Sequence, residues 1–237
     1  MLKDHLAEEE QEEDKQPVNL SLILNLIRVS MSLELILGPM FAGKTSALQS
    51  IIRRHEALGI RCAVFKPESD TRYGSDSFMY SHDQTKVSAV PTKTLSNQLH
   101  FKPYIGSSLI VIEEGQFFDD LYDFVIVAVE YHKKHVVVGG LDGDCFRKPF
   151  GQILQLIPLA DRVTKLTSLC KICADGTIGL FSYRNSESKE TVEVGGSEKY
   201  MPLCRKHYLT CSGQQVRIED LPTIRVTLEC HPKACLP

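Results

Sequence analysis

A phosphate-binding loop constrains this chain more than any other feature. Leu33 to Leu37 is a short apolar run, Gly38-Pro39-Met40-Phe41-Ala42-Gly43-Lys44-Thr45 follows it, and Ser46 to Leu58 carries apolar residues at helical spacing. Strand, glycine-containing turn and helix in that order gather inward-facing backbone N–H groups and a helix N-terminus around one point, which suits phosphate oxygens. Lys44 is placed to reach the β- and γ-phosphates, and the Thr45 hydroxyl to take one position on Mg²⁺. A turn that satisfies G-x4-G-K-T by chance is the alternative, and it leaves the flanking strand and helix unexplained. The expected ligand is a nucleoside triphosphate.

The elements downstream fit a sheet built around that loop. Gly59 ends the first helix, Ile60 to Phe65 reads as a second strand closed by Lys66-Pro67, and a polar loop runs from Glu68 to Gln84. Ser108-Leu109-Ile110-Val111-Ile112 and His135-Val136-Val137-Val138-Gly139 are apolar, β-branched runs too short for ordinary helices, as strands buried on both faces of a parallel sheet should be. Asp119 to His132 is the helix between them, and Val163 to Leu166 a candidate last strand. Strands alternating with helices predict a doubly wound α/β fold with its ligands at the carboxyl ends of the strands.

Composition narrows the class. The chain has 237 residues, 43% hydrophobic and 24% charged, enough for one packed domain and a small appendage. A net charge of −3 gives it no global attraction for DNA or RNA, and no strong local basic patch replaces it, so no nucleic-acid partner is expected. The apolar stretch Val18 to Leu37 is interrupted by Asn19, Asn25, Arg28 and Glu34 and ends in the strand that feeds the loop, so it is not read as a membrane span. The acidic N-terminal region lacks a cleavable signal pattern, and the eight cysteines are therefore read as reduced and cytoplasmic. Residues 1–30, with the acidic run Glu8 to Lys15, are expected to be an extension with little structure of its own, an isoform segment or a start-site artefact. Met31 would be a sufficient start.

The strand 110–112 runs directly into Glu113-Glu114-Gly115-Gln116-Phe117-Phe118. An acidic residue there faces the phosphate loop and helps hold Mg²⁺, and a second carboxylate beside it allows a division of labour, one serving the metal and one accepting a proton from an acceptor hydroxyl. A solvated Glu-Glu pair is the alternative. Phe117 and Phe118 suit either the core or the flat wall that a nucleobase needs.

Cys170-Lys171-Ile172-Cys173 and Cys204-Arg205-Lys206-His207 form C-x2-C…C-x2-H across a loop, 174–203. Two such pairs provide the four donors of a closed tetrahedral Zn²⁺ site, structural because no position is left for water. Unconnected thiols and an imidazole are the alternative. Cys62 and Cys145 are expected to be core or pocket thiols, and Cys211, Cys230 and Cys235 do not complete a second site.

In order along the chain stand Gly38 to Thr45, Asp70-Thr71-Arg72-Tyr73, Ser81-His82-Asp83, Glu114 to Phe118, Leu141-Asp142-Gly143, Pro149-Phe150-Gly151 and Gly195-Gly196-x3-Tyr200. Together they resemble the cytosolic, zinc-containing type II thymidine kinases over roughly Leu33 to Tyr208. The resemblance implies a P-loop domain with a RecA-like parallel sheet (31–167), a small zinc-binding β-rich lasso domain (168–208) that closes over a nucleoside, a C-terminal tail (209–237) and a homotetramer. Carried over residue by residue, it implies that Gly38, Pro39, Met40, Phe41, Ala42, Gly43, Lys44 and Thr45 hold ATP with Asp70 and Glu113. Glu114 is the implied general base, while Arg72 and Lys44 neutralise the transferring group. Met40, Phe117, Leu141, Phe146, Ser182, Val192, Val194, Gly195, Gly196 and Tyr200 line the nucleoside site in this reading.

Four positions depart from the family pattern: Glu113 stands where Asp is usual, Phe146 fills the aromatic position only with a shift, the segment 191–195 is one residue short, and His207 replaces a fourth Cys. The expected activity is ATP-dependent phosphorylation of the thymidine 5′-hydroxyl. The alternatives are a deoxynucleoside kinase of another base preference, such as deoxyuridine or a purine deoxynucleoside, and a P-loop ATPase whose zinc module binds nucleic acid or protein. Lys199, Arg205 and Lys206 are the residues that encourage the last.

Overall fold

The computed structural model describes residues 31–69, 77–80, 85–186, 193 and 195–213. In chain order the elements are β1 (Ser32–Leu37), α1 (Lys44–Glu56), β2 (Cys62–Pro67), β3 (Phe78–Tyr80), β4 (Lys86–Ser88), β5 (Val90–Thr92) and a short helix α2 (Lys102–Gly106). They continue with β6 (Leu109–Ile112), α3 (Leu121–Ile126), β7 (His135–Gly140), β8 (Arg162–Lys165), β9 (Ser168–Leu169), β10 (Ile178–Gly179), β11 (Phe181–Arg184), β12 (Tyr200–Leu203) and α4 (Arg205–Ser212).

Six strands form one parallel sheet in the order β5-β2-β6-β7-β1-β8, with Leu35 opposite Val138 on one side of β1 and Val163 on the other. Side chains of successive strand residues point to opposite faces, and the core divides accordingly. Leu33, Leu35, Leu37, Ile110, Ile112, Val136 and Val138 pack with Phe118, Leu121, Phe124, Ile153 and Leu156 on one face. Ile36, Leu109, Val111 and Val137 pack with Leu48, Ile51 and Ile52 of α1 on the other. This two-sided burial is why β1, β6 and β7 read as continuous apolar runs, and the parallel α/β expectation holds.

Several boundaries differ from the sequence reading. The first helix starts at Lys44 rather than Ser46, because Gly43 takes a left-handed conformation (φ 81°) that turns the chain straight into the helix. The second strand runs two residues later, Cys62–Pro67, after a turn in which Ile60 N donates to His55 O. The expected helix 119–132 is α-helical only to Ile126; its turns widen over Val127–Tyr131, with His132 N donating five residues back to Val127 O. The last sheet strand starts one residue earlier, at Arg162, and all four of its residues are exposed at the sheet edge. Three short strands, β3 to β5, lie in and beyond the stretch read as a polar loop. Cys62 and Cys145 are half-buried, and burial, aided by the Glu56 charge, pushes the Cys62 thiol up to about 11.

The second unit is built from two antiparallel hairpin pairings, β9 with β10 and β11 with β12, and α4, which continues past position 208 to Ser212. Its small core is Cys170, Leu203, Cys204 and Tyr208 with Phe181, Tyr183 and Met201 against it. No helix among the described residues is long and apolar enough to cross a membrane.

Candidate active site

β1 delivers the chain to the phosphate loop and α1 carries it away, so the loop sits at the carboxyl end of the sheet. Gly38 is at φ 149°, and a Cβ there would lie 2.5 Å from the Leu166 carbonyl oxygen beyond β8. Gly38→Ala is therefore expected to cost about 2–3 kcal/mol of stability, through strain at a left-handed backbone and a backbone clash. A fall in denaturation midpoint, with KM for ATP rising, would check it. Phe41 is also held at positive φ, 63°, a strained conformation of the kind that clusters at ligand sites. Lys44 Nζ donates to Pro39 O at 2.8 Å, which keeps the ammonium over the loop.

The Thr45 hydroxyl donates to Glu113 Oε1 at 2.8 Å, linking the start of α1 to the end of β6. Glu113 N continues the ladder by donating to Phe65 O. Glu114 then leaves it, at φ 50° and ψ 47°. Along a regular strand two successive side chains would diverge to opposite faces. The left-handed step at Glu114 breaks that alternation, and both residues line one cavity of about 750 Å³ with Met40 to Ser46, Gly195 and Gly196. Both are buried, Glu113 6% and Glu114 9% exposed.

The cavity has walls that the sequence reading missed. Lys66, at the end of β2, and Phe78 and Tyr80, on β3, line it, and Lys66 Nζ donates to Phe78 O at 2.8 Å. A lysine at the carboxyl end of a buried strand was a legible signal; the aromatic pair on a three-residue strand was not. Ser197, Glu198 and Lys199 complete the wall beside Gly195 and Gly196.

Among the described residues, the other expected site residues are not part of that lining and are held in different ways. Ser182 Oγ accepts from Met40 N at 2.9 Å, tying β11 to the phosphate loop. Leu141 follows β7 and donates its N–H to Gln116. Tyr200 donates to the Glu193 carbonyl at 2.7 Å. The Glu193 carboxylate pairs with Lys199 at 3.0 Å and accepts from Ser186 at 2.8 Å, and these contacts hold its pKa below the usual carboxylate range. Phe117 lines a separate hollow with Pro67, Ser69 and Lys93 and packs edge-on against Phe150 at 5.3 Å. Phe146 lies under the Arg184 guanidinium at 5.6 Å. Asp70, Arg72, Val192 and Val194 lie outside the described residues.

In the second unit, Cys170, Cys173, Cys204 and His207 bring their donor atoms within 4.8 Å of one another. His207 Nδ1 is 3.5, 3.3 and 3.5 Å from the sulfurs of Cys170, Cys173 and Cys204, and the last two sulfurs are 3.8 Å apart. Ligands about 2.3 Å from a tetrahedral zinc stand roughly 3.8 Å from each other, so these donors fit that ion. The knuckle is shaped by Ala174, at φ 52°, whose N–H returns to Cys170 O. Burial opposes ionisation of Cys170, but hydrogen bonds from the Cys173 and Cys204 amides and from His207 outweigh it and hold the thiol at about 6. Cys173 is pushed up to about 11 by burial and by its bond to Cys170. A Cys170 thiolate beside two further sulfurs and an imidazole is a donor set that suits a shared cation.

The second unit also reaches the phosphate loop directly. Besides the Ser182 bond, Ser168 Oγ donates to Phe41 O at 3.1 Å, while Tyr208 donates to Cys145 O, in the segment after β7, at 2.6 Å.

A phosphate loop on a parallel sheet, two carboxylates at its mouth and a metal-type knuckle whose strands brace the loop define a nucleotide-binding phosphotransferase of the P-loop class. The thymidine kinase family model matches residues 31–208. A thymidine kinase of Oryza sativa subsp. japonica is 44% identical over 181 residues, covering 75% of this chain and 66% of the relative. The cytosolic thymidine kinase of Homo sapiens is 40% identical over 183 residues, covering 77% and 75%, and the thymidine kinase of Myxoma virus (strain Lausanne) is 40% identical over 176 residues, covering 74% and 95%. The chain belongs to the thymidine kinase family, whose reaction is the ATP-dependent phosphorylation of thymidine.

Proposed function

We propose that this protein transfers the γ-phosphoryl group of ATP to the 5′-hydroxyl of thymidine, giving dTMP and ADP. The observation that carries this reading is the placement of Glu113 and Glu114 in one cavity with the phosphate loop, the first bonded to Thr45 and the second to Gln116. The loop amides, the N-terminus of α1 and Lys44 hold the phosphates, and Arg72 adds charge where the phosphoryl group moves. Glu114 accepts the proton of the 5′-hydroxyl as its oxygen attacks the γ-phosphorus and the bond to the β-phosphate oxygen breaks. Thr45 and Glu113 offer adjoining hard oxygens that fit Mg²⁺, which neutralises charge on the β- and γ-phosphates when bound. The wall formed by Gly195 to Lys199, with the lasso closing over it, excludes the water that would otherwise hydrolyse ATP.

Zn²⁺ in the Cys170–Cys173–Cys204–His207 site is structural in this account. A homotetramer in the cytoplasm follows from the family resemblance.

The alternative of a zinc module binding nucleic acid is disfavoured by where its cations lie. Lys199 is paired with Glu193, and the Arg205 guanidinium stands over the Phe181 ring at 5.0 Å. With Mg-ATP and thymidine, ADP and dTMP should appear in equal amounts. ADP released without thymidine at the same rate, or stimulated only by single-stranded DNA, would reject the kinase reading.

A further inference from the structure

Gln116 lies outside the cavity wall, yet it is buried and held by two hydrogen bonds. Its side chain is 4% exposed, and both ends of its amide are engaged. Nε2 donates to Glu114 Oε2 at 2.7 Å and Oε1 accepts from Leu141 N at 2.9 Å. The Leu141 N–H can only donate, so the amide oxygen must face it, and the NH₂ group is left facing the carboxylate. The amide cannot flip without setting two donors against each other.

The backbone around it is shaped to the same end. A Cβ on Gly140 would collide with Gln116 Oε1, and one on Gly151, at φ 60°, with the Gln116 carbonyl. Gly115 lets the turn pass against Val138, since a Cβ there would stand 2.7 Å from its Cγ1. Two glycines thus border the glutamine directly, Gly140 at its side-chain amide and Gly151 at its carbonyl, and Gly115 packs the turn that leads into it. Glu114 itself sits in a left-handed conformation that few non-glycine residues adopt, and its carboxylate takes the Gln116 amide as a partner.

We propose that Gln116 is a positioning residue for the general base: it fixes the plane of the Glu114 carboxylate relative to the segment after β7. The inference rests on the reading of Glu114 as the base. Leu141 belongs to the segment assigned to the nucleoside wall. One buried amide therefore references the proton acceptor to the backbone that flanks the acceptor substrate. Such a link contributes to the chemical step by holding a near-attack geometry, not by binding either substrate.

The test is a double-mutant cycle read in pre-steady-state and steady-state turnover with Mg-ATP and thymidine. Gln116→Met, which fills the space but cannot bridge, should lower kcat by about 10- to 100-fold with both KM values held within about threefold. Gln116→Glu keeps the shape and the bond to Leu141 while presenting an oxygen to Glu114 Oε2; the two carboxyl groups then compete for one proton, so kcat should fall to a similar extent and the pH at which activity rises should move upward. In a Glu114→Gln background either substitution should cost less than about a further twofold, because residues that act as a unit are not additive. Losses that multiply across the cycle, or that appear in KM, would overturn the inference. So would near-native kcat in Gln116→Glu. Those outcomes leave the base assignment standing if Glu114→Gln is itself impaired, whereas full turnover by Glu114→Gln overturns both.

Discussion

Glu114→Gln is expected to lower kcat for thymidine phosphorylation by about 10²- to 10³-fold while leaving KM for ATP within about threefold. The size follows from what is removed. Glutamine keeps the shape and a hydrogen bond to a hydroxyl but cannot accept a proton, so the phosphates remain held by the loop, Lys44 and Thr45 and only the deprotonation is lost. Glu113→Gln should behave differently. It weakens the carboxylate that meets Thr45, so its loss should shrink as Mg²⁺ concentration is raised, while that of Glu114→Gln should not. Saturation kinetics of the two variants across a Mg²⁺ series separate these roles. A Glu114→Gln enzyme with near-native kcat, or one impaired only in KM, would remove the base from the mechanism.

The second large effect is expected from the metal knuckle, whose residues are no part of the cavity lining. His207→Ala, or Cys204→Ala, should abolish zinc retention and reduce turnover by at least about tenfold, because the free energy of binding a structural zinc is also the folding free energy of the unit around it. The route from knuckle to chemistry is short. Cys204 caps α4 and follows β12, β12 pairs with β11, and Ser182 on β11 holds Met40 N in the phosphate loop. Ser168, two residues before Cys170, holds the Phe41 carbonyl of the same loop. Loss of the ion should thus release two of the contacts that keep Met40 and Phe41 in place, and KM for ATP should rise along with the fall in kcat. Zinc content by mass spectrometry, followed through chelation and re-addition, should track activity. Full activity in zinc-free protein would show that the hairpins hold the loop without it.

The parts of the fold that were legible are those with one dominant cause. β6 and β7 are buried on both faces, so their sequences carry no competing polar signal. The phosphate loop and the C-x2-C…C-x2-H pairs are local patterns whose spacing is itself the geometry. What was not legible depends on neighbours distant in sequence. β3, β4 and β5 are three residues each and exist because partners are present, as in the pairing of β3 with β4 and of β5 with β2. Lys66, at the carboxyl end of a buried strand, carries a signal of its own, but only the sheet places it at the cavity. The adjacent carboxylates were expected to diverge in role, but the left-handed step at Glu114 that lets them share one cavity is a backbone choice no side-chain pattern announces. Phe117 has the composition of a base wall yet faces a hollow of its own, packed on Phe150.

The most direct test of the central claim is mass identification of the product formed by purified, zinc-loaded protein with Mg-ATP and thymidine, deoxyuridine, deoxycytidine, deoxyadenosine or deoxyguanosine in separate reactions. Thymidine should give dTMP with the highest kcat/KM of the five, with one ADP per monophosphate. Preferred turnover of a purine deoxynucleoside, or ADP release that no nucleoside accelerates, would contradict it.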